Sequence, residues 1–445
     1  MAMKNQDWEV LIVGLGKTGL SVVNFLAERG VKFAVTDSRK NPPGLDQLKQ
    51  DHGNVPCFFG GFKEAVFKKA KQLIVSPGIS VQTAEIKMAR RNGVEVIGDI
   101  EIFVRSVLKP VIAITGSNGK TTVTLLMKAM VEQAGRDVLV GGNVGIPALQ
   151  LLDGDADIYV LELSSFQMET TYSMDARVAV VLNISEDHLD RYDSFESYIA
   201  AKSRVYDQSQ IAIINRDDKI VSALVDEGNA ISFGYGAPLR DSDFGIAQKD
   251  SVDWLVKGKE HLMPTHDIRM PGQHNVCNAL AALALGDQAG LPMASMCEAL
   301  RQFSGVKHRC QWIGNHEGPN WYNDSKGTNI GATMAALSGI QGKIILLAGG
   351  QAKGANFNPL AEVIKDKGCD VILMGEDAEF IANHFDDSVN CYFVDSMHSA
   401  VKKAAELAEP NSSVLLSPAC ASFDMYKNYE ERGEIFMTEV KELMA

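Results

Sequence analysis

Short aliphatic runs, each followed by a Gly-containing turn and then a helical period, recur along this chain from residue 9 into its last quarter. Doubly wound α/β units read this way: a strand covered on both faces is continuously apolar, whereas the covering helix is apolar along one stripe. Runs at 9–13, 32–36, 73–75 and 94–97 predict a small first sheet, with helices near 19–29 and 81–92. A second set begins at Val111–Thr115 and continues at 137–140, 158–163, 178–182 and 211–215. A third occupies 343–348, 371–374, 391–394 and 414–417. Gly98 to Pro110 reads as a connector into the second sheet, and Ser304 to Arg309 as a connector into the third. Between about 230 and 270 the pattern weakens, which predicts short strands and loops decorating the middle of the molecule. The expected organisation is three α/β domains, over 1–98, 99–305 and 306–445.

Length agrees with this division, since 445 residues exceed what one core organises. Apolar residues at 46% and charged residues at 22%, with 39 Gly and 14 Pro, describe an ordinary globular chain without repeats or disorder. A net charge of −13 repels polyphosphate backbones, and no basic stripe offsets it, so no nucleic-acid partner is expected. Seven cysteines without a C-x-x-C pair suggest reduced thiols, with neither a zinc site nor a disulfide framework. The start lacks the apolar core of a signal peptide, and no run reaches the roughly eighteen apolar residues of a span. A cytoplasmic protein with no membrane insertion is expected.

The strongest chemical signal is Val111-Ile-Ala-Ile-Thr-Gly116-Ser117-Asn118-Gly119-Lys120-Thr121-Thr122, a buried-type strand that turns through glycines and opens a helix at Lys120. Such a turn aims backbone N–H groups and a helix N-terminus at phosphate, Lys120 neutralises the terminal phosphates, and the Thr121 hydroxyl can ligate Mg²⁺. A full P-loop has Gly where this chain has Ile114. Gly14-Leu-Gly16-Lys-Thr-Gly19, with Asp37 at the end of the next strand, is a dinucleotide-type fingerprint. Alone it fits a nicotinamide-dependent oxidoreductase, or a turn that uses glycine for geometry. Glu162 ends an apolar strand after the P-loop, where a Mg²⁺ ligand or water-orienting acid belongs in a kinase or ATPase. His188 lies among acids in a post-strand loop, and Lys202 by spacing alone reads as a solvated helix lysine.

Thr115 to Thr122, with Glu162-Leu-Ser-Ser-Phe-Gln167, Asn183-Ile-Ser-Glu-Asp-His188 and Lys202, resembles the Mur ligase family and its relative folylpolyglutamate synthetase. The N-terminal Gly14–Gly19 unit argues against that relative, which opens directly with its ATP domain. Within the family, Gly141-Gly-Asn143-Val-Gly145, Gly272-Gln-His-Asn275, Asn323-Asp324-Ser-Lys326 and Ser417-Pro-Ala-Cys-Ala-Ser422 are similar to the branch that adds D-glutamate to UDP-N-acetylmuramoyl-L-alanine. The Asp-Asn-Pro-Arg motif of the diaminopimelate-adding branch is absent from the sequence.

The resemblance implies a Rossmann-like first domain that holds UDP, a central P-loop ATPase-like domain and a Rossmann-like C-terminal domain that holds the amino acid. It implies that Asp37, Ser38 and Arg39 meet the uracil nucleotide with Ser76 and Gly78, and that Asn143 and Gln167 meet the sugar-peptide part. Gly116 to Thr122 would grip the ATP phosphates, Asn275 and Arg309 the adenine nucleotide, and Asp324 its ribose. Glu162, His188 and Lys202 would hold Mg²⁺, the lysine as a carbamate. Lys326, Thr328, Lys353, Ser422, Phe423 and Tyr429 would face the amino acid. Gly327 replaces the Ala usual in that motif and leaves its polar groups unchanged. A monomer is the family precedent.

Overall fold

A computed structural model of the chain describes residues 8–187, 191–270, 272–315, 318–340, 342–352, 354–410 and 412–444. Three sheets follow one another along the sequence. The first holds β1 (Val10–Val13), β2 (Phe33–Asp37), β3 (Cys57–Phe59), β4 (Gln72–Val75) and β5 (Glu95–Ile97), all parallel in the order β3-β2-β1-β4-β5. The second holds β6 (Val111–Thr115), β7 (Val138–Gly142), β8 (Ile158–Glu162), β9 (Val178–Val181), β10 (Ala212–Asn215), β11 (Ala230–Phe233), β12 (Phe244–Lys249), β13 (Val252–Lys257) and β14 (Glu260–Pro264). Its order is β14-β13-β12-β11-β10-β9-β6-β8-β7, parallel except for β13 and β14, which close it as an antiparallel meander. In the third, β15 (Gln311–Gly314), β16 (Asn320–Asn323), β17 (Ile344–Gly349), β18 (Asp370–Met374), β19 (Cys391–Phe393) and β20 (Ser413–Leu416) pair as β15-β16-β20-β17-β18-β19, with β15 alone antiparallel among them.

The long apolar runs form the strands buried on both faces. All five residues of β6 and of β8 are buried, because the helix Lys120–Gln133 covers one face with Val123, Leu126, Met127 and Met130. The helix Gln273–Gln288 joins it, with Ala279 to Leu285 buried. Parallel strands of this kind present their C-terminal ends together, and ligand sites in open α/β sheets lie there.

The expected connector over Gly98 to Pro110 is instead largely helical, over Asp99–Ser106. Ile100 and Phe103 lie on its buried face, and the Phe103 ring meets Tyr159 edge-on at 5.5 Å, so one apolar cluster runs from the first sheet into the second. Asp99 opens this helix at 2% exposure, with no hydrogen bond completed by either carboxylate oxygen. Burial pushes its carboxyl up to about 6, although the backbone N–H groups of Asp99 and Ile100 and the Gln167 amide pull the other way. Gly19 is required on the first helix, Lys17–Glu28: a Cβ there would stand 2.0 Å from the Gly14 carbonyl oxygen.

Candidate active site

The turn after β6 leads through two glycines into a helix N-terminus. Gly116 and Gly119 take φ of +147° and +84°, conformations open to glycine, and bring the chain round to the N-terminus of the helix Lys120–Gln133. Neighbouring backbone fixes the turn from one side. The Ser117 and Asn118 N–H groups donate to the Asn183 carbonyl and side-chain oxygens at 2.9 and 2.8 Å, and Ser117 Oγ lies 2.9 Å from the Tyr198 hydroxyl. Lys120 Nζ donates back to the Gly116 and Ser117 carbonyls at 2.8 and 2.9 Å. Burial holds its amine below the ordinary lysine range.

Lys202 departs from the solvated helix lysine that spacing suggests. It comes off the helix Phe195–Asp207 at 2% exposure and donates to the Gly116 carbonyl at 2.8 Å, with its ammonium 4.7 Å from the Tyr198 ring centre. Burial, reinforced by the neighbouring Lys120, drives its amine well below the ordinary range. Glu162 ends β8, which pairs in register with β6 so that Glu162 stands beside Ile114 at the base of the turn. Its Oε1 accepts from Asn143 Nδ2 at 2.6 Å, whereas the buried Oε2 has no partner. A buried carboxylate oxygen with spare acceptor capacity, at the base of the turn on which Lys120 and Lys202 converge, fits a divalent cation. Among the described residues no group of three or more His, Cys, Asp and Glu converges as a metal cluster, and the fourth expected ligand, His188, lies outside them.

Two cavities flank this centre. One of about 510 Å³ lies between the first and second sheets, lined by Gly14, Gly16, Ser38, Arg39, Ser76 and Gly78 from one side and by Gly142, Asn143 and Gln167 from the other. Asp37 lies beneath its floor. Although burial opposes it, the Arg39 guanidinium and the Leu15 and Arg39 N–H groups hold this carboxyl below its usual range. Arg39 grips both Asp37 oxygens, at 2.9 and 2.7 Å, and is thereby held at the cavity rim. Gln167 accepts from the Ser164 N–H and hydroxyl in a capping box.

The second cavity, about 340 Å³, lies between the second and third sheets. Asn118, Gly119, Asn275 and Asn278 line it from one side, and Arg309, Asp324, Gly327 and Gly331 from the other. Arg309 donates to Thr121 Oγ1 at 3.0 Å, so the hydroxyl singled out for Mg²⁺ here accepts from a third-sheet arginine. Asp324 accepts from the Cys310 N–H at 3.1 Å and from Ser417 Oγ at 2.6 Å, and burial lifts its carboxyl to about 6. Lys326 lies over the Tyr429 ring at 3.6 Å, and burial lowers its amine to about 8. Ser422 is buried near this end of the third sheet, while Thr328 and Phe423 are exposed. Lys353 lies outside the described residues.

Three family descriptions match the chain in succession: the Mur ligase MurD-like N-terminal domain over 8–98, the Mur ligase middle domain over 114–286 and the Mur ligase glutamate ligase domain over 308–420. A UDP-N-acetylmuramoylalanine–D-glutamate ligase from Nitrosococcus oceani is 50% identical over 98% of this chain and 97% of its own. The chain belongs to the Mur ligase family. Another ligase of the same description, from Pseudomonas savastanoi, is 47% identical over 97% of both chains. The UDP-N-acetylmuramate–alanine ligase structure from Thermotoga maritima superposes at a TM-score of 0.59 with 18% identity, covering 98% of this chain and 100% of its own. At that identity the likeness is one of fold.

In this Mur ligase several contacts at the cavities carry no sequence signal. Asn329 caps the helix Ile330–Gly339 and reaches across to Asn118 Oδ1 at 3.4 Å and Asp187 at 3.3 Å. His274 is half-buried, its ring pushed down to about 4 by desolvation, and packs close to Gly272 and Gly339. Neither sits in a pattern of spacing that marks chemistry, although His274 belongs to the motif Gly272-Gln-His-Asn275.

Proposed function

We propose that this Mur ligase joins D-glutamate to UDP-N-acetylmuramoyl-L-alanine at the expense of ATP, forming ADP and phosphate in cytoplasmic assembly of the peptidoglycan precursor. The observation that carries this reading is a glycine-rich turn that lines the cavity between the second and third sheets, with Glu162 at its base hydrogen-bonded to Asn143 in the wall of the cavity between the first and second. The full-length similarity to D-glutamate ligases supplies the choice of substrates. Among the described residues no helix is long and apolar enough to cross a membrane. The protein is read as a monomer whose units, 1–98, 99–305 and 306–445, hold the nucleotide sugar, ATP and D-glutamate respectively.

The chemistry follows from the charges. The carboxylate of the bound alanine attacks the γ-phosphorus of ATP, ADP leaves, and the amine of D-glutamate then displaces phosphate from the acyl phosphate while losing a proton. Carboxylate and triphosphate repel, so the first step requires cations at the phosphate oxygens, and Lys120 and Arg309 converge on the turn to provide them. Mg²⁺, held by Thr121, Glu162, His188 and Lys202, would supply further charge neutralisation when bound. For Lys202 that role requires its free amine to add CO₂ and release a proton, giving an anionic carbamate. Asp37, Ser38, Arg39, Ser76 and Gly78 hold the uridine end of the substrate, and Asn143 and Gln167 its far end. Gly116 to Thr122, Asn275, Arg309 and Asp324 hold ATP. Lys326, Thr328, Lys353, Ser422, Phe423 and Tyr429 orient D-glutamate, and contact between the second and third sheets excludes water from the acyl phosphate.

The test is phosphate release from MgATP and UDP-N-acetylmuramoyl-L-alanine with D-glutamate, L-glutamate or no amino acid. Release that requires D-glutamate, with a product heavier by one glutamyl unit, is expected. Equal release in all three mixtures would overturn the assignment.

A further inference from the structure

We propose that Arg191 is a positioning residue that fixes the span of the nucleotide-sugar cavity by clamping its two walls to each other; this rests on the substrate reading above. Arg191 belongs to the segment between β9 and the helix Phe195–Asp207 and sends its guanidinium across to the first sheet's side of the cavity. Nη1 donates to the Pro77 carbonyl at 2.8 Å and Nη2 to the Ile79 carbonyl at 3.0 Å. Those carbonyls bracket Gly78, and Pro77, Gly78 and Ile79 all line the cavity. The same guanidinium lies 3.4 Å from the Glu169 carboxylate, with side chains only 13% and 15% exposed, and 4.1 Å above the Phe166 ring. Phe166 lies on, and Glu169 caps, the short helix Ser165–Met168 that brings Gln167 to the opposite wall. One planar cation is therefore bonded to both walls.

The wall it grips needs an anchor. The loop starts firmly, with the Ser76 N–H on the Val13 carbonyl at 2.9 Å and Ser76 Oγ on the Gly14 carbonyl at 2.9 Å. At Gly78 a Cβ would meet nothing within 4 Å; the Ile79 N–H closes on the Ser76 carbonyl at 2.9 Å and its side chain packs on the first sheet, contacts that hold the loop to its own wall, whereas the Arg191 bonds to Pro77 and Ile79 tie it across the cavity. A ligand that touches both walls senses their separation; one that touches the first wall alone does not. Lysine keeps the charge but not the planar fork, and one ammonium cannot bond two carbonyls and a carboxylate while lying flat on a ring.

Calorimetric titration of wild type, Arg191→Lys and Glu169→Gln with UDP alone and with UDP-N-acetylmuramoyl-L-alanine tests this. Arg191→Lys is expected to weaken the complete ligand about tenfold, the worth of one charge-assisted hydrogen bond, and UDP by less than about twofold. KM for the nucleotide sugar should rise in parallel while KM for ATP holds. Glu169→Gln, which leaves the guanidinium in place, should shift the complete ligand in the same direction by less, and it carries the test if Arg191→Lys does not fold. Equal losses for both ligands, or an unchanged complete ligand, overturn the clamp. A wild-type protein that fails to bind the complete ligand overturns the substrate reading and the clamp together, an outcome distinct from the first two.

Discussion

Replacing Asp99 with Asn should stabilise the protein, and the gain should depend on pH. The carboxyl is 2% exposed and completes no hydrogen bond, and burial raises it from 3.8 to about 6. Through that interval the native chain keeps a proton that the unfolded chain has released. Ionisation of Asp99 therefore costs nothing below the unfolded value, weighs increasingly against folding as pH rises, and is constant above the folded value. A displacement of roughly two units corresponds to about 3 kcal/mol at neutral pH. An amide of the same size removes the charge but buries N–H groups of its own, offsetting about 1 kcal/mol. The expected gain is thus about 2 kcal/mol at alkaline pH, shrinking as pH falls through about 6, reaching zero at about pH 4.5 and turning into a loss approaching about 1 kcal/mol below the unfolded value. Urea unfolding followed by tryptophan fluorescence, run for both proteins from about pH 8 down to about pH 4.5, reads this directly. A gain that does not change with pH, or a loss at pH 8, would refute the view that burial outweighs the donors around Asp99 and makes its ionisation costly in the native chain.

Lys120→Ala should lower kcat by roughly 10²–10³ with the nucleotide-sugar KM unchanged, measured by ADP release, because its charge is needed as the phosphorus is attacked. Arg309→Ala removes the 3.0 Å bond to Thr121 and a cation from the ATP cavity; an ATP titration should show KM raised by about tenfold or more. Asp37→Asn loosens the doubly held Arg39 and should raise the nucleotide-sugar KM by about tenfold, leaving that for ATP in place. Gly19→Ala drives a methyl to 2.0 Å from the Gly14 carbonyl, so it should lower the melting temperature and abolish UDP binding by calorimetry.

Most strands of the three sheets were legible because continuous burial writes itself as continuous apolar sequence: β1, β6, β8 and β17 lie within a residue or two of their runs. Some short or half-exposed strands were not, although the three-residue β5 and β19 fall within predicted runs. β3 has three residues, and β15 carries the exposed Trp312, so neither shows a period that distinguishes it from a loop. The helix Asp99–Ser106 was hidden in an apparent connector because its two buried apolar residues, Ile100 and Phe103, mark less than one full turn of pattern, and the other two buried positions are the acids Asp99 and Glu101. The phosphate turn was readable because its chemistry is local, with strand, glycines and lysine adjacent in sequence. Lys202 was readable only by resemblance, since a lysine buried by residues far away in the chain is locally identical to one in water. Arg191 and Asn329 stand at the ends of recognisable motifs, but what they reach lies across sheets, and nothing beside them in the sequence names it.

Both cavities are seams, one between the first and second sheets and the other between the second and third, while the phosphate turn belongs wholly to the middle sheet. What each seam admits is decided half by a flanking body, and what is done there is decided by the centre. Such a molecule is divided like a press with two interchangeable jaws. Grafting a different first body should alter which nucleotide sugar is accepted without disturbing the handling of ATP, and grafting a different third body should alter the incoming amino acid. Diversification along such a chain needs only changes of jaw, each judged by selection against an unchanged reaction.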